Sequence, residues 1–217
     1  MGVRYLPSLI MSYLPSGVGK RNMIKIGILA LQGDFDEHQK MLDGLGINTI
    51  QVRKSNQLTN LDGLIIPGGE STTMGKLATD FQLMEDLRTF AMRHAVWGTC
   101  AGAILLSKNS GHVQPLLGVM DITTARNAFG RQVESFEIDL NVPALKVVDP
   151  SDAPFPAIFI RAPLIETTGP GVEILAYIND DQVVAVREDQ WLATSFHPEL
   201  STDNRFHRYF LEMIQSK

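Results

Sequence analysis

The sequence predicts an α/β fold of three layers, a mainly parallel central sheet with helices on both faces. Three observations carry this. Continuous apolar runs such as "IKIGILA" (24–30) read as strands buried on both faces, and stretches of helical period alternate with them. No linker or shift in composition divides residues 23–217, so they form one domain, and at this length it buries a substantial core.

The elements follow in order. After the first strand, "GDFDEHQKMLDGLG" places Phe35, His38, Leu42 and Leu45 on one helical face. Asp34 and Glu37 have the spacing of a capping box, and Gly44 and Gly46 offer a stop. "INTIQV" (47–52) and "LDGLIIP" (61–67) are the second and third strands. A helical stretch from about Thr72 to His94 is interrupted near Asp80, which is placed to cap its second segment. "AVWG" is the fourth strand, and Ala101–Ser107 opens the next helix. Beyond it "VESFEIDL" alternates through Phe136, Ile138 and Leu140, and "AIFIR", "EILAYI", "QVVAVRE" and "WLATSF" read as further strands between turn clusters. A last helix carries Phe206, Phe210 and Met213 on one face, with Asp203 as its candidate cap.

Residues 1–22 stand apart. They repeat YLPS, and Pro7 and Pro15 break any helix. Only Arg4 precedes the apolar part and no small-residue cleavage site is evident, so a disordered extension is expected rather than a signal peptide. The formal net charge of −5 leaves no basic excess to neutralise a nucleic-acid backbone. The single cysteine cannot form an internal disulfide, and no apolar run reaches the ~20 residues that span a bilayer. The default is a soluble cytoplasmic protein, with neither nucleic acid nor membrane as partner.

That cysteine sits in Gly98-Thr99-Cys100-Ala101-Gly102, between a buried-strand run and a helix. A lone cysteine is most often a small buried hydrophobe. Here, small flanking residues let the chain turn sharply and lift a nucleophile above the sheet, the logic of the G-x-S-x-G elbow with sulfur in place of oxygen. The following helix aims N–H groups at the sulfur, and the Ala101 N–H is placed to donate to an oxyanion. Of the five histidines, His38, His94 and His207 fall in helical stretches and His112 in a loop, where structural or solvated roles are the default. His197 follows the final strand in "SFHPEL", where it could deprotonate Cys100 while Glu199 holds its tautomer. Pro198 and Glu199 also suit a helix start, and both readings are compatible. In "IIPGGESTT" (65–73), Gly68 and Gly69 end a strand and Ser71 or Thr72 can cap the next helix. Neither dinucleotide nor P-loop spacing is present, so the glycine amides are read as completing an oxyanion hole.

"LALQGDFDEH", "LIIPGGESTTM", "GTCAG", "ARNAFGRQVESFE", "FIRAP" and "SFHPEL" occur in this order over residues 26–200. Together they resemble the glutaminase subunits of pyridoxal 5′-phosphate synthase, members of the class I (triad) glutamine amidotransferases with a flavodoxin-like fold. The resemblance implies Cys100 as nucleophile with His197 and Glu199 as partners. It also implies glutamine contacts from Gly69, Glu70, Ser71, Arg126, Ile160 and Arg161. Arg126 can offer a forked donor to the substrate carboxylate. L-Glutamine is the implied substrate, and a (β/α)8-barrel synthase subunit in a large hetero-oligomer the implied recipient of its ammonia. Neither metal nor bound cofactor is indicated. The alternatives are the glutaminase of another amidotransferase, such as that for imidazole glycerol phosphate synthesis, or a non-catalytic relative. The former should lack "PGGESTTM" and "RNAFGRQ"; the latter should lack the cysteine or histidine.

Overall fold

The computed structural model describes residues 24–126, 135–179 and 181–216. The extension 1–22 and most of the "RNAFGRQ" motif lie outside these residues.

The apolar runs build a parallel half-sheet. Strands β1 (Lys25–Leu29), β2 (Asn48–Val52), β3 (Gly63–Ile66) and β4 (Ala95–Thr99) lie in the order β2-β1-β3-β4, all parallel. Helices connect them: α1 (Phe35–Gly44), then α2 (Ser71–Asp80) and α3 (Met84–Ala91), with α4 (Ala101–Leu106) following β4. Side chains alternate between two cores, as period-2 strands require. Ile26, Ile28, Ile65 and Trp97 enter one core with the closing helix α5 (Arg205–Gln215), whereas Leu64, Ile66 and Val96 enter the other with Leu87 and Leu105. The three-layer expectation holds.

The second half of the chain makes the sheet mixed. Strands β5 (Ser107–Asn109), β6 (Met120–Ala125), β9 (Leu164–Thr168), β10 (Glu173–Ile178), β11 (Gln182–Glu188) and β12 (Trp191–Thr194) continue it as β4-β12-β11-β9-β6-β5, with β10 on β11. β12 runs parallel to β4, but the β12–β11, β11–β9, β9–β6 and β10–β11 pairs are antiparallel. For β10–β11 and β11–β12, joined by three and two residues, the connections are too short for a crossover and dictate the antiparallel sense. A separate hairpin, β7 (Ser135–Leu140) with β8 (Phe155–Ile160), packs on the α5 side. Phe155, Phe159, Phe196 and Phe206 interlock there with ring centroids 4.8–5.9 Å apart. Each is buried, so truncating Phe196 to Ala would cost about 3–5 kcal/mol.

The expected caps differ from the observed ones. Asp34 is the N-cap of α1, but its side chain makes no capping bond. Its carboxylate stands 3.4 Å from His197 Nδ1 instead. Glu70, rather than Ser71 or Thr72, caps α2, accepting from the N–H groups of Thr72 and Thr73 at 3.1 and 2.7 Å. Asp80 ends α2 and does not cap α3, whose N-cap is Leu83; Gln82, at φ +55, makes the break. Asn204 is the N-cap of α5, while Asp203 accepts the Arg205 N–H at 2.9 Å and binds its guanidinium. Among the described residues, no helix is long and apolar enough to cross a membrane.

Candidate active site

The site lies where β3, β4 and β12 end. Cys100 occupies the turn from β4 into α4 at φ +48, ψ −107, a backbone conformation that L-residues avoid. The turn is tight because Gly98 and Gly102 are glycines: a Cβ on Gly98 would stand 2.5 Å from Gly102's carbonyl, and one on Gly102 2.0 Å from the Ile66 oxygen. The Cys100 N–H is anchored on the Thr194 carbonyl at 2.8 Å, and its Sγ lies 3.9 Å from the Ile160 carbonyl. α4 has only six residues, because β5 begins at Ser107. So short a helix adds little dipole.

His197 stands three residues beyond β12, at the N-cap of a 3₁₀ turn, Pro198–Leu200; strand-end residue and helix start coincide as anticipated. Its Nδ1 donates to Glu199 Oε1 at 2.7 Å, which leaves the other ring nitrogen to Cys100. Burial alone would lower its affinity for a proton. The bonds to Cys100 and Glu199, and their charges, instead raise the imidazolium pKa to about 11. Glu199 is buried, and that burial pushes its carboxyl above the ordinary value despite the histidine. Asp34, His197 and Glu199 bring three ligand atoms within 4.8 Å of one another, a spacing that would suit a cation. The short His197–Glu199 bond already uses the ring nitrogen such an ion would need.

Beside Cys100 is a cleft of about 400 Å³. Gly69, Glu70, Ser71, Arg126 and Arg161, all named from the sequence, line it together with Cys100 and Ala101. Arg126 Nη2 pairs with Glu70 Oε1 at 2.9 Å, bonds Thr72 Oγ1 at 2.8 Å and Gln114 Oε1 at 3.0 Å, and touches the Ser71 hydroxyl. Bonds from Thr72 and Thr73 outweigh Glu70's partial desolvation and hold its carboxyl at about 2. Gly68 backs His197: a Cβ there would meet the ring at 2.3 Å. The Gly68 carbonyl accepts the Asp34 N–H at 3.2 Å, so the Gly69 N–H points the opposite way within that peptide plane. Gly69 has φ +149, a region glycine alone enters readily. Ile160 reaches the site through its backbone carbonyl.

Several site residues had no sequence signal of their own. Gln32 lines the cleft and accepts the Glu70 N–H at 2.7 Å; Gln114 gathers Ser71, Thr72 and Arg126. His38 and His207, read as ordinary helix residues, are fully buried immediately behind Glu199.

A strained cysteine at a strand–helix elbow, with a histidine and a carboxylate in line and a polar cleft beside them, is the arrangement of a cysteine-nucleophile enzyme on an α/β sheet. The chain belongs to the SNO glutamine amidotransferase family, whose model matches residues 28–216. It is 56% identical over 199 residues to the pyridoxal 5′-phosphate synthase subunit PdxT of Dehalococcoides mccartyi, covering 89% of this chain and 98% of that protein. A crystal structure of a glutamine amidotransferase superposes with a TM-score of 0.81 at 50% identity, covering 88% and 98% of the two chains. A putative GMP synthase component from Thermoplasma acidophilum shares the fold at 20% identity, with a TM-score of 0.66 over 90% and 96%.

Proposed function

We propose that this chain is the glutaminase subunit of a pyridoxal 5′-phosphate synthase, hydrolysing L-glutamine to L-glutamate and ammonia. The bonded run from Cys100 through His197 to Glu199, opening on the cleft, carries this reading. Identity above 50% to PdxT over nearly its whole length supports the synthase assignment.

His197 takes the Cys100 proton, and Sγ attacks the side-chain amide carbon of glutamine. The Ala101 N–H and the amides of the Gly68–Gly69 segment receive the oxyanion. The tetrahedral intermediate collapses as imidazolium His197 protonates the departing nitrogen, leaving a γ-glutamyl thioester and free ammonia. A water deprotonated by His197 then attacks the thioester carbon; glutamate leaves and the thiol recovers its proton. Glu199 holds the Nδ1–H tautomer throughout. Arg126 and Arg161 receive the substrate carboxylate and Glu70 its ammonium, while Gly69, Ser71 and the Ile160 carbonyl complete the polar wall. The ammonia passes to a (β/α)8-barrel synthase subunit within a large hetero-oligomer in the cytoplasm.

The test measures glutamate release by the full chain, alone and with the barrel synthase. It is joined to mass-spectrometric mapping of a glutamine-analogue electrophile. Label on Cys100 alone, and no hydrolysis by Cys100→Ala, is expected. Label elsewhere, or undiminished hydrolysis by that variant, would sink the assignment.

A further inference from the structure

Behind the triad, on the side away from the cleft, lies a second polar chain that the mechanism above does not use. Glu199 Oε1 is occupied by His197, but Oε2, buried, receives no well-aligned hydrogen bond. Facing it is His38 Nε2 at 3.3 Å, which also lies 3.1 Å from Thr99 Oγ1. On its other edge, His38 Nδ1 is 3.0 Å from His207 Nε2. His38 comes from α1 and His207 from α5, both with no exposed surface, and Trp97 packs edge-on against both rings. Two adjoining imidazoles with no exposure are unusual unless each proton has an assigned place.

That place follows from satisfaction of donors. His207 Nδ1 has no partner, so a proton there would be a buried orphan donor; its proton therefore sits on Nε2 and is donated to His38 Nδ1. His38 thereby carries its own proton on Nε2, pointing between Thr99 and Glu199. Burial, followed by the charge interactions with His207 and His197, lowers the proton affinity of His38, and burial lowers that of His207 to about 3. Both stay neutral, as this directed chain requires. When Glu199 bears its charge opposite imidazolium His197, a small rotation of His38 exchanges a neutral bond to Thr99 for a charge-assisted one to Oε2.

We propose that His38, held in its Nε2–H tautomer by His207, positions the Glu199 carboxylate and through it His197 during glutamine hydrolysis. The proposal rests on the triad reading. His38 and His207 touch neither substrate nor reacting atoms and are positioning residues. The titratable groups facing Glu199 are His197, His38 and Asp34, and those facing His38 are Glu199, His197 and His207.

The experiment compares His38→Leu, which removes the donor, with His38→Gln, whose amide places an N–H where Nε2 stood. Both are assayed as full chains with the synthase partner. In His38→Leu, kcat falls roughly 10- to 100-fold, as for other outer-shell partners, with KM for glutamine little changed. The acid limb of its pH profile moves upward by about one unit, because Glu199 loses a donor to its charged form. His38→Gln recovers most of the rate and the original limb. Equal losses in both variants with an unmoved profile, or full activity in His38→Leu, overturn the proposal. A Cys100→Ala control separates the two readings, since activity there removes the triad itself. Should His38→Leu not fold, imidazole 15N shifts of the unaltered protein decide. Two neutral Nε2–H tautomers support the proposal; an Nδ1–H or charged His38 overturns it.

Discussion

Gly102→Ala tests whether the elbow's glycines are structural necessities. The added Cβ would stand 2.0 Å from the Ile66 carbonyl oxygen and 2.8 Å from its carbon, both backbone atoms at the end of β3. Neither has a flexible end to swing away, so α4 and β3 must separate by about 1 Å to reach a tolerable contact. β3 leads directly into Pro67, Gly68 and Gly69, so that movement passes into the oxyanion segment as well as the nucleophile. Overpacking of this kind costs about 1–3 kcal/mol, equivalent to a drop of about 2–12 °C in Tm for a domain this size. A displacement of about 1 Å at the reacting atoms costs about 10²-fold in rate. Calorimetry and steady-state glutaminase assays on the synthase-bound protein measure the two effects. Unchanged Tm together with unchanged kcat would refute the argument that Gly102 is there for close approach.

The other predictions concern the charged site. His197→Asn lowers kcat by about 10²–10⁴-fold, and Glu199→Gln lowers it less because that residue orients rather than transfers protons; kcat on saturating glutamine reads both. Gly69→Ala drives a Cβ to 2.5 Å from Gln32 Oε1 at φ +149, displacing both the Gly68–Gly69 peptide assigned to the oxyanion and the Gln32 side chain that accepts the Glu70 N–H. A loss of about 10²–10³-fold in kcat is expected, with a higher KM because Gly69 and Gln32 both line the cleft. Stability should decline on both sides of neutrality. His207, lowered to about 3, contributes stability that is present above 6.5 and lost as pH falls toward 3, and buried His38 acts in the same direction. His197, raised to about 11, contributes stability that is present below 6.5 and lost as pH rises through 11. Urea titrations across pH check this, and His197→Asn should remove the alkaline decline that His197 contributes.

The parallel half of the sheet was legible because strands buried on both faces need unbroken apolar runs, and β1, β3 and β4 have them. The elbow and His197-x-Glu199 were legible because their spacing and position at strand ends have chemical meaning before any contact is known. β5, β6 and β9 were not separately anticipated: β5 has three residues, and Met120–Ala125 and Leu164–Thr168 mix Thr and charged residues with few apolar ones. Asp34 illustrates a different limit. Its spacing to Glu37 is that of a capping box, yet His197, more than 160 residues away in sequence, competes for the same carboxylate and wins. Likewise His38 and His207 look like any helical histidines until α1 and α5 pack on the same side of β4.

Strand β8 touches both members of the proposed Cys100–His197 pair. Its Ile158 carbonyl accepts the His197 N–H at 2.8 Å, and its Ile160 carbonyl faces Cys100 Sγ at 3.9 Å. Residues two apart on a strand repeat at a fixed spacing of roughly 6.6 Å, so β8 works as a ruler for the distance between nucleophile and base. This restricts where the chain tolerates a change of length. Residues can be gained or lost only in the exposed stretch 150–152, between the 3₁₀ turn that buries Val142 and Leu145 and Ala153 and Pro154, which Arg205 clamps. A single residue inserted between Ile158 and Ile160 would put the ruler out of phase and uncouple the two catalytic groups while leaving both in the sequence.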